Sequence, residues 1–310
     1  MDQIQHKFID TRGMKLHLAE IGTGPLVVIF IHGFPEIWYS WRHQMTAVAN
    51  AGFRAIAPDL IGYGLSEKHK DLENTCLDDF LADILTILDS FEIPKAFLIG
   101  KDFGAWAVNL FTLQHPGRVS GVVTLGLPFI PSSHRKLHQH PEGFYIFRWM
   151  EPGRAEADFG RFDVKTVVRN IYILFSRSEN PIAEEGQEIM DLVDPSTPLP
   201  PWFSEDDLAT YATLYERSGF EGPLQVPYRS MHKMAALIDP KIEVPTLTIT
   251  GESDYTLKFP GFEEFVRSGR VKECVPDLEI IFLPEGTHFV QEQFPEQVNQ
   301  LIKTFLKKHT

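Results

Sequence analysis

Five short apolar runs set the strongest constraint on this chain: PLVVIFIHG (25–33), KAFLIG (95–100), VSGVVTL (119–125), VPTLTITG (244–251) and LEIIFLPEG (278–286). Each is too short for an ordinary helix, rich in Val, Ile, Leu or Phe, and ends at or beside a glycine. Runs of this kind fit strands that are apolar on both faces, as a parallel sheet covered by helices requires. Between them lie longer stretches read as helical: Trp38 to Asn50, Thr75 to Ser90, Gly104 to His115, Pro260 to Ser268 and Pro295 to Lys308. With FRAIAPDL (53–60) as a further strand, the order is β-α-β-α-β, preceded by a hairpin-like pair that includes MKLHLAE (14–20). The expectation is an α/β fold built on a doubly wound, mostly parallel sheet.

The alternation stops between Phe129 and about Ala235. There aromatic and charged residues mix, Pro and Gly are frequent (EPGR, ENPI, DPSTPLPPWF), and no strong strand signal occurs. Mostly helices joined by long loops are expected. Residues 1–128 and 236–310 are therefore assigned to a sheet-containing core, and 129–235 to an inserted helical cap, or lid. At 310 residues the chain has the length for one large core with such an insertion.

A formal net charge of -13 provides no basic excess to neutralise phosphates, which argues against nucleic acid or an anionic membrane as partner. No run approaches the roughly 18 apolar residues of a spanning helix, and the first residues lack the apolar core of a secretory signal. Cys76 and Cys274 are too few for a disulfide framework or a metal site. The expectation is a cytoplasmic protein, monomer or homodimer, with a small-molecule ligand.

In open α/β sheets ligands bind beyond the carboxyl ends of the strands. After the first run comes HGFPE (32–36), where Gly33 permits a sharp turn that can expose the Phe34 N–H as an oxyanion donor. The same segment also fits a plain strand-to-helix turn. After KAFLIG, Asp102 stands at the tip of a strand–turn–helix with Gly100 and Gly104 two residues to either side, where a nucleophile elbow holds its reactive side chain. The Phe103 N–H opens the helix, where partial positive charge favours an anion. Taken alone, Asp102 serves as well as a helix cap. Asp254 follows the strand-ending Gly251, and His288 lies between the last strand and the last helix. Singly these read as a turn residue and a solvated histidine. The order Asp102, Asp254, His288, each beyond a different strand, reproduces the nucleophile–acid–histidine order of α/β-hydrolases.

HGFPEIWYSWRHQ (32–44), APDLIGYGLSE (57–67), the GKDFGA elbow, PFIP (128–131), FYIFRWMEPGRAEADF (144–159), YRS (228–230) and GTHFVQEQFPEQV (286–298) together resemble the α/β-hydrolase-fold epoxide hydrolases, particularly the soluble plant type, over essentially the whole chain. That resemblance implies Asp102 as nucleophile, His288 as base and Asp254 as the residue orienting the base. It implies Phe34 and Phe103 as oxyanion-hole N–H donors, and Tyr145 and Tyr228 as lid tyrosines that polarise the epoxide oxygen. It calls for no cofactor and no metal, and for a small hydrophobic epoxide, lipid or other, as substrate, in lipid metabolism or detoxification. Phe34, Trp38, Trp106, Phe129 and Trp149 are candidates to line an apolar pocket, and each also fits a core position. The family commonly reads His-Asp-Trp at the elbow, whereas this chain reads Lys101-Asp102-Phe103. A backbone donor survives the change at Phe103. The Lys101 ammonium either approaches Asp102, favouring its ionised form, or points away.

A carboxylate is ionised near neutral pH, so Asp102 needs no base to attack a saturated carbon, and His288 is left for a second step. A haloalkane or haloacid dehalogenase shares that logic, but halide binding often uses an indole beside the nucleophile, which Phe103 lacks. A non-catalytic, hydrolase-like ligand receptor is the other alternative. Serine esterase chemistry lacks its motif, because no G-x-S-x-G occurs.

Overall fold

In the computed structural model, which describes residues 3–131, 137–233 and 240–310, the apolar runs become strands of one eight-stranded sheet. Its strands are β1 (Gln5–Thr11), β2 (Met14–Ile21), β3 (Val27–Ile31), β4 (Arg54–Pro58), β5 (Ala96–Lys101), β6 (Val119–Leu125), β7 (Thr246–Gly251) and β8 (Leu278–Leu283). They lie in the order β1-β2-β4-β3-β5-β6-β7-β8. The β1–β2 hairpin is antiparallel, as is the pairing of β2 with β4, and every later pairing is parallel. β3, β5 and β7 are buried along their whole length. Full burial of a side chain such as Ile29 or Leu98 contributes roughly 1.5–3 kcal/mol, and β3 and β5 accordingly carry no polar alternation, whereas β7 alternates buried threonines with Leu247 and Ile249.

Helices α1 (Arg42–Asn50), α2 (Leu77–Ser90) and α3 (Phe103–Gln114) connect the first parallel strands. α2 buries Leu77, Phe80, Leu81, Ile84, Ile87 and Leu88, the three- and four-residue spacing of an amphipathic helix. Its start is fixed by the Cys76 N–H donating to the Asp79 carboxylate at 2.8 Å. Between β6 and β7 come α4 (Tyr145–Met150), α5 (Arg154–Phe159), α6 (Val164–Phe175), α7 (Glu205–Ser218) and α8 (Glu221–Leu224), followed by a π-helical turn at Gln225–Arg229. Among the described residues of this stretch the β structure is one isolated bridge, between Phe144 and Ile182. The 235/236 boundary read from the sequence lies outside the described residues. Helices α9 (Phe262–Arg267), α10 (Val290–Gln293) and α11 (Pro295–Lys308) complete the chain, α11 opening with a proline whose missing N–H costs nothing there.

A largely buried charge network joins α1 to α10 and to α7. Arg42 of α1 pairs with Glu292 of α10 at 2.6 Å and with Asp207 of α7 at 3.0 Å. The Tyr39 hydroxyl donates to Asp207 at 3.0 Å. Among the described residues no helix is long and apolar enough to cross a membrane.

Candidate active site

β5 ends at Lys101, Asp102 follows with φ 54° and ψ -122°, and α3 begins at Phe103. A positive φ is strained for a residue bearing a Cβ and persists where the surroundings over-determine it. Asp102 makes no side-chain capping bond to α3, so the strain presents the carboxylate outward from the helix end. Two glycines make this possible. A Cβ on Gly33 would stand 2.5 Å from the Asp102 Cβ, and one on Gly104 would stand 2.2 Å from the Ile31 carbonyl oxygen. Their absence lets the turns after β3 and β5 touch, and the Phe34 N–H donates to Asp102 Oδ1 at 3.2 Å. The Phe103 N–H sits in the first turn of α3, where no intrahelical acceptor exists.

His288 lies between two carboxylates. Its Nδ1 is 3.0 Å from Asp254 Oδ2 and 3.1 Å from Oδ1, and its Nε2 is 3.4 Å from Asp102 Oδ2. Asp254 Oδ1 also accepts from the Thr256 N–H at 2.9 Å and hydroxyl at 2.8 Å. All three members are buried. Lys101 is also fully buried, and its Nζ lies 2.7 Å from His288 Nε2. The ammonium thus turns to the histidine, an arrangement distinct from both orientations considered from sequence.

Tyr145, at the start of α4, holds its hydroxyl 3.1 Å from that of Tyr255. Tyr228, on the π-helical turn, packs its ring edge-on against Phe103, Trp149 and Phe34 at 5.2, 5.2 and 5.6 Å. A cavity beside the elbow is lined by Asp102, Phe103, Trp106, Tyr145 and Tyr255, with a remainder that is apolar, Ile130 and Phe259 included, apart from His140 and Thr256. Of the aromatic residues anticipated as lining, Trp106 lines this cavity, while Phe34, Trp38, Phe129 and Trp149 do not. Phe34 reaches the site through its backbone. Trp38 faces His6 and His17 instead. Phe129 is buried behind the cavity wall, in an apolar cluster with Leu127, Ile130 and Phe262, which themselves line the cavity. Trp149 stands behind the site, against Tyr145 and Tyr228.

A family model for the alpha/beta hydrolase fold matches residues 27–258. "Epoxide hydrolase 3" of Siraitia grosvenorii is 36% identical over 319 residues, covering 99% of this chain and 100% of that protein. The crystal structure of an epoxide hydrolase from Vigna radiata superposes with a TM-score of 0.92 at 35% identity, covering 99% of each chain. A mutant of potato epoxide hydrolase gives 0.89 at 31% identity, covering 98% of this chain and 99% of that one. The chain belongs to the epoxide hydrolases.

Electrostatics in this epoxide hydrolase follow from burial. Burial works against an ionised Asp254, but the charge and hydrogen bond of His288, the Lys101 ammonium and the Thr256 N–H outweigh it and hold the carboxyl at about 2. Burial likewise works against the His288 imidazolium; Asp254 and the hydrogen bonds overcome it, so the pKa lies above its ordinary value while Lys101 opposes the rise. The phenols of Tyr145 and Tyr228 are driven up by burial and stay protonated as donors. Glu36, the last residue of HGFPE, is pushed up to about 7 by burial, opposed by Lys101. Its Oε2 accepts from the Gly33 N–H at 3.3 Å and its Oε1 from Gln291 Nε2. Neither Glu36 nor Tyr255 stands out as a site residue in the sequence. The only signal for Tyr255 is its position directly after Asp254. Among the described residues no group of three or more His, Cys, Asp or Glu side chains is placed to hold a metal ion.

Proposed function

We propose that this epoxide hydrolase converts a hydrophobic epoxide and water to a vicinal diol through an ester on Asp102. The observation that carries the reading is a carboxylate at a strained elbow, with one oxygen on the Phe34 N–H and the other 3.4 Å from a histidine backed by Asp254. In the first step the Asp102 carboxylate, through Oδ2, forms a bond to an epoxide carbon as the C–O bond of the strained ring breaks. The leaving oxygen takes a proton from a phenol, Tyr145 with Tyr228 assisting, so that the alkoxide never stands free. In the second step His288 Nε2 takes a proton from water as the water oxygen bonds to the ester carbonyl carbon. Oδ1 becomes the oxyanion, held by the Phe34 and Phe103 N–H groups, each worth about 3 kcal/mol in comparable hydrolases. Collapse expels the diol oxygen, which takes the proton from His288. The proton left on the Asp102 carboxyl returns to the tyrosinate.

The helices between β6 and β7 act as the cap, since they supply Tyr145 and Tyr228. Small, largely apolar substrates, lipid epoxides among them, suit a cavity walled by Phe103, Trp106 and Phe259. The test is a single turnover of trans-stilbene oxide in 18O-water with enzyme in excess. The first diol is expected to carry an oxygen from Asp102; predominant solvent label at that turnover would exclude the ester.

A further inference from the structure

A fully buried lysine whose nitrogen touches the base of a hydrolase is a feature the proposed chemistry does not use. An ammonium has three donors and no acceptor, so at 2.7 Å Lys101 donates to the lone pair of His288 Nε2. That fixes the imidazole with its proton on Nδ1, where Asp254 accepts it. The lone pair that Lys101 occupies is the one that must face water in the second step. Lys101 is the last residue of β5, the residue before the nucleophile, and its ammonium lies 5.7 Å from the centre of the Phe289 ring, so the contact is built into the strand rather than made by a mobile surface chain.

We propose that Lys101 is a positioning residue that separates the two half-reactions, leaving ester formation free and restraining ester hydrolysis. The inference rests on the reading of this chain as an aspartyl-ester epoxide hydrolase. Ester formation joins Asp102 Oδ2 to carbon, breaks the epoxide C–O bond and draws its proton from a phenol; the His288 lone pair takes no part. Hydrolysis requires that lone pair. It also creates an imidazolium beside an ammonium, which like-charge repulsion in a buried site opposes. The other charged or titratable groups around His288 are Asp254 and Asp102 in contact, Tyr255 with its ring centre 4.9 Å away, and Glu36, whose carboxyl is close enough to be influenced by both His288 and Lys101. Of these groups, Lys101 is the one whose side chain donates to His288 Nε2.

The experiment is rapid-quench kinetics of the full chain with trans-stilbene oxide, following the ester by intact mass and the diol by chromatography, over a range of pH. For the unaltered protein the expected result is a burst of ester approaching one equivalent, followed by slow diol release. Lys101→Met is expected to speed ester hydrolysis at least about tenfold while changing ester formation by less than about threefold. It is also expected to move the acid limb of the hydrolysis rate to higher pH, because the lysine's charge no longer adds to burial in opposing protonation of His288. Lys101→Gln, which keeps a donor but loses the charge, is expected to show the same pH shift with a smaller rate gain. A merely structural role for Lys101 would not move the acid limb. Diol release without ester accumulation in the unaltered protein, or an unchanged hydrolysis rate and acid limb in Lys101→Met, overturns the inference and leaves the epoxide hydrolase reading standing. Formation of neither ester nor diol from epoxides by any of the three proteins overturns that reading, and the inference with it.

Discussion

Replacing Asp254 by Asn tests the assignment of the two half-reactions most directly. The carboxyl of Asp254 is held at about 2 against an ordinary 3.8, although burial alone would raise it. That lowering is worth on the order of 2 kcal/mol in favour of the charged form, and its main source is the interaction with His288. The same interaction favours the imidazolium when water gives up its proton, so its loss is expected to slow ester hydrolysis by roughly 10- to 100-fold. Asn keeps an oxygen that can accept from the Thr256 N–H, so the turn after β7 has its local anchor. Ester formation, which involves no imidazolium, is expected to change by less than about threefold. In rapid-quench runs with trans-stilbene oxide, the variant should hold ester as its dominant form at steady state. Equal slowing of both steps would mean that Asp254 acts by holding the whole site together, and no slowing of either would remove it from the machinery.

Tyr145→Phe should slow ester formation by roughly 10²-fold while leaving hydrolysis of preformed ester unchanged, as read from the burst phase; an unchanged burst would assign proton donation to Tyr228. Stability should also fall as pH rises toward neutrality. Glu36 is raised from 4.5 to about 7, so the folded chain keeps a proton that the unfolded chain releases, and stability declines as pH rises from about 4.5 to about 7, by up to about 3 kcal/mol. Asp254 runs the other way: its depressed pKa contributes stability above about 4 that is lost as pH falls toward about 2. Urea denaturation at a series of pH values checks both, and Glu36→Gln should flatten the decline between pH 5 and 7 by abolishing the titration.

How much of this was legible in the sequence depended on whether a residue's role follows from local chain geometry. The strands β3 and β5 announce themselves because burial on both faces removes polar alternation, β6 and β7 by short runs rich in Val, Leu, Ile and Thr that end at or beside a glycine, and α11 spans the same residues that its pattern implies, Pro295 to Lys308. The convergence of Asp102, Asp254 and His288 was legible because parallel strands deliver their carboxyl ends to one edge. Direction of a side chain was not legible. Trp38 and Trp106 are equally apolar in the sequence, yet one packs toward the β1–β2 hairpin and the other faces the cavity. Phe129 follows β6 closely but joins the cluster with Phe262. Tyr255 reads as one more aromatic residue until the fold sets its hydroxyl against that of Tyr145. For Lys101 the sequence offers only proximity to Asp102 along the chain, and the partner it meets is 187 positions away.

The Arg42 network bears on how this protein comes apart. Arg42 holds Glu292 beside it and Asp207 on α7, while the hydroxyls of Tyr172 and Tyr211, also from the inserted helices, donate to Glu292 at 3.3 and 3.4 Å. Peeling the inserted helices away would break the Arg42–Asp207 pair and the tyrosine bonds to Glu292, leaving Arg42 and Glu292 with only each other. The network therefore ties α6 and α7 to α1 and α10. A helical segment exchanged between relatives must travel with the matching partners of Arg42 and Glu292, or the chimera inherits an orphaned charge at the seam.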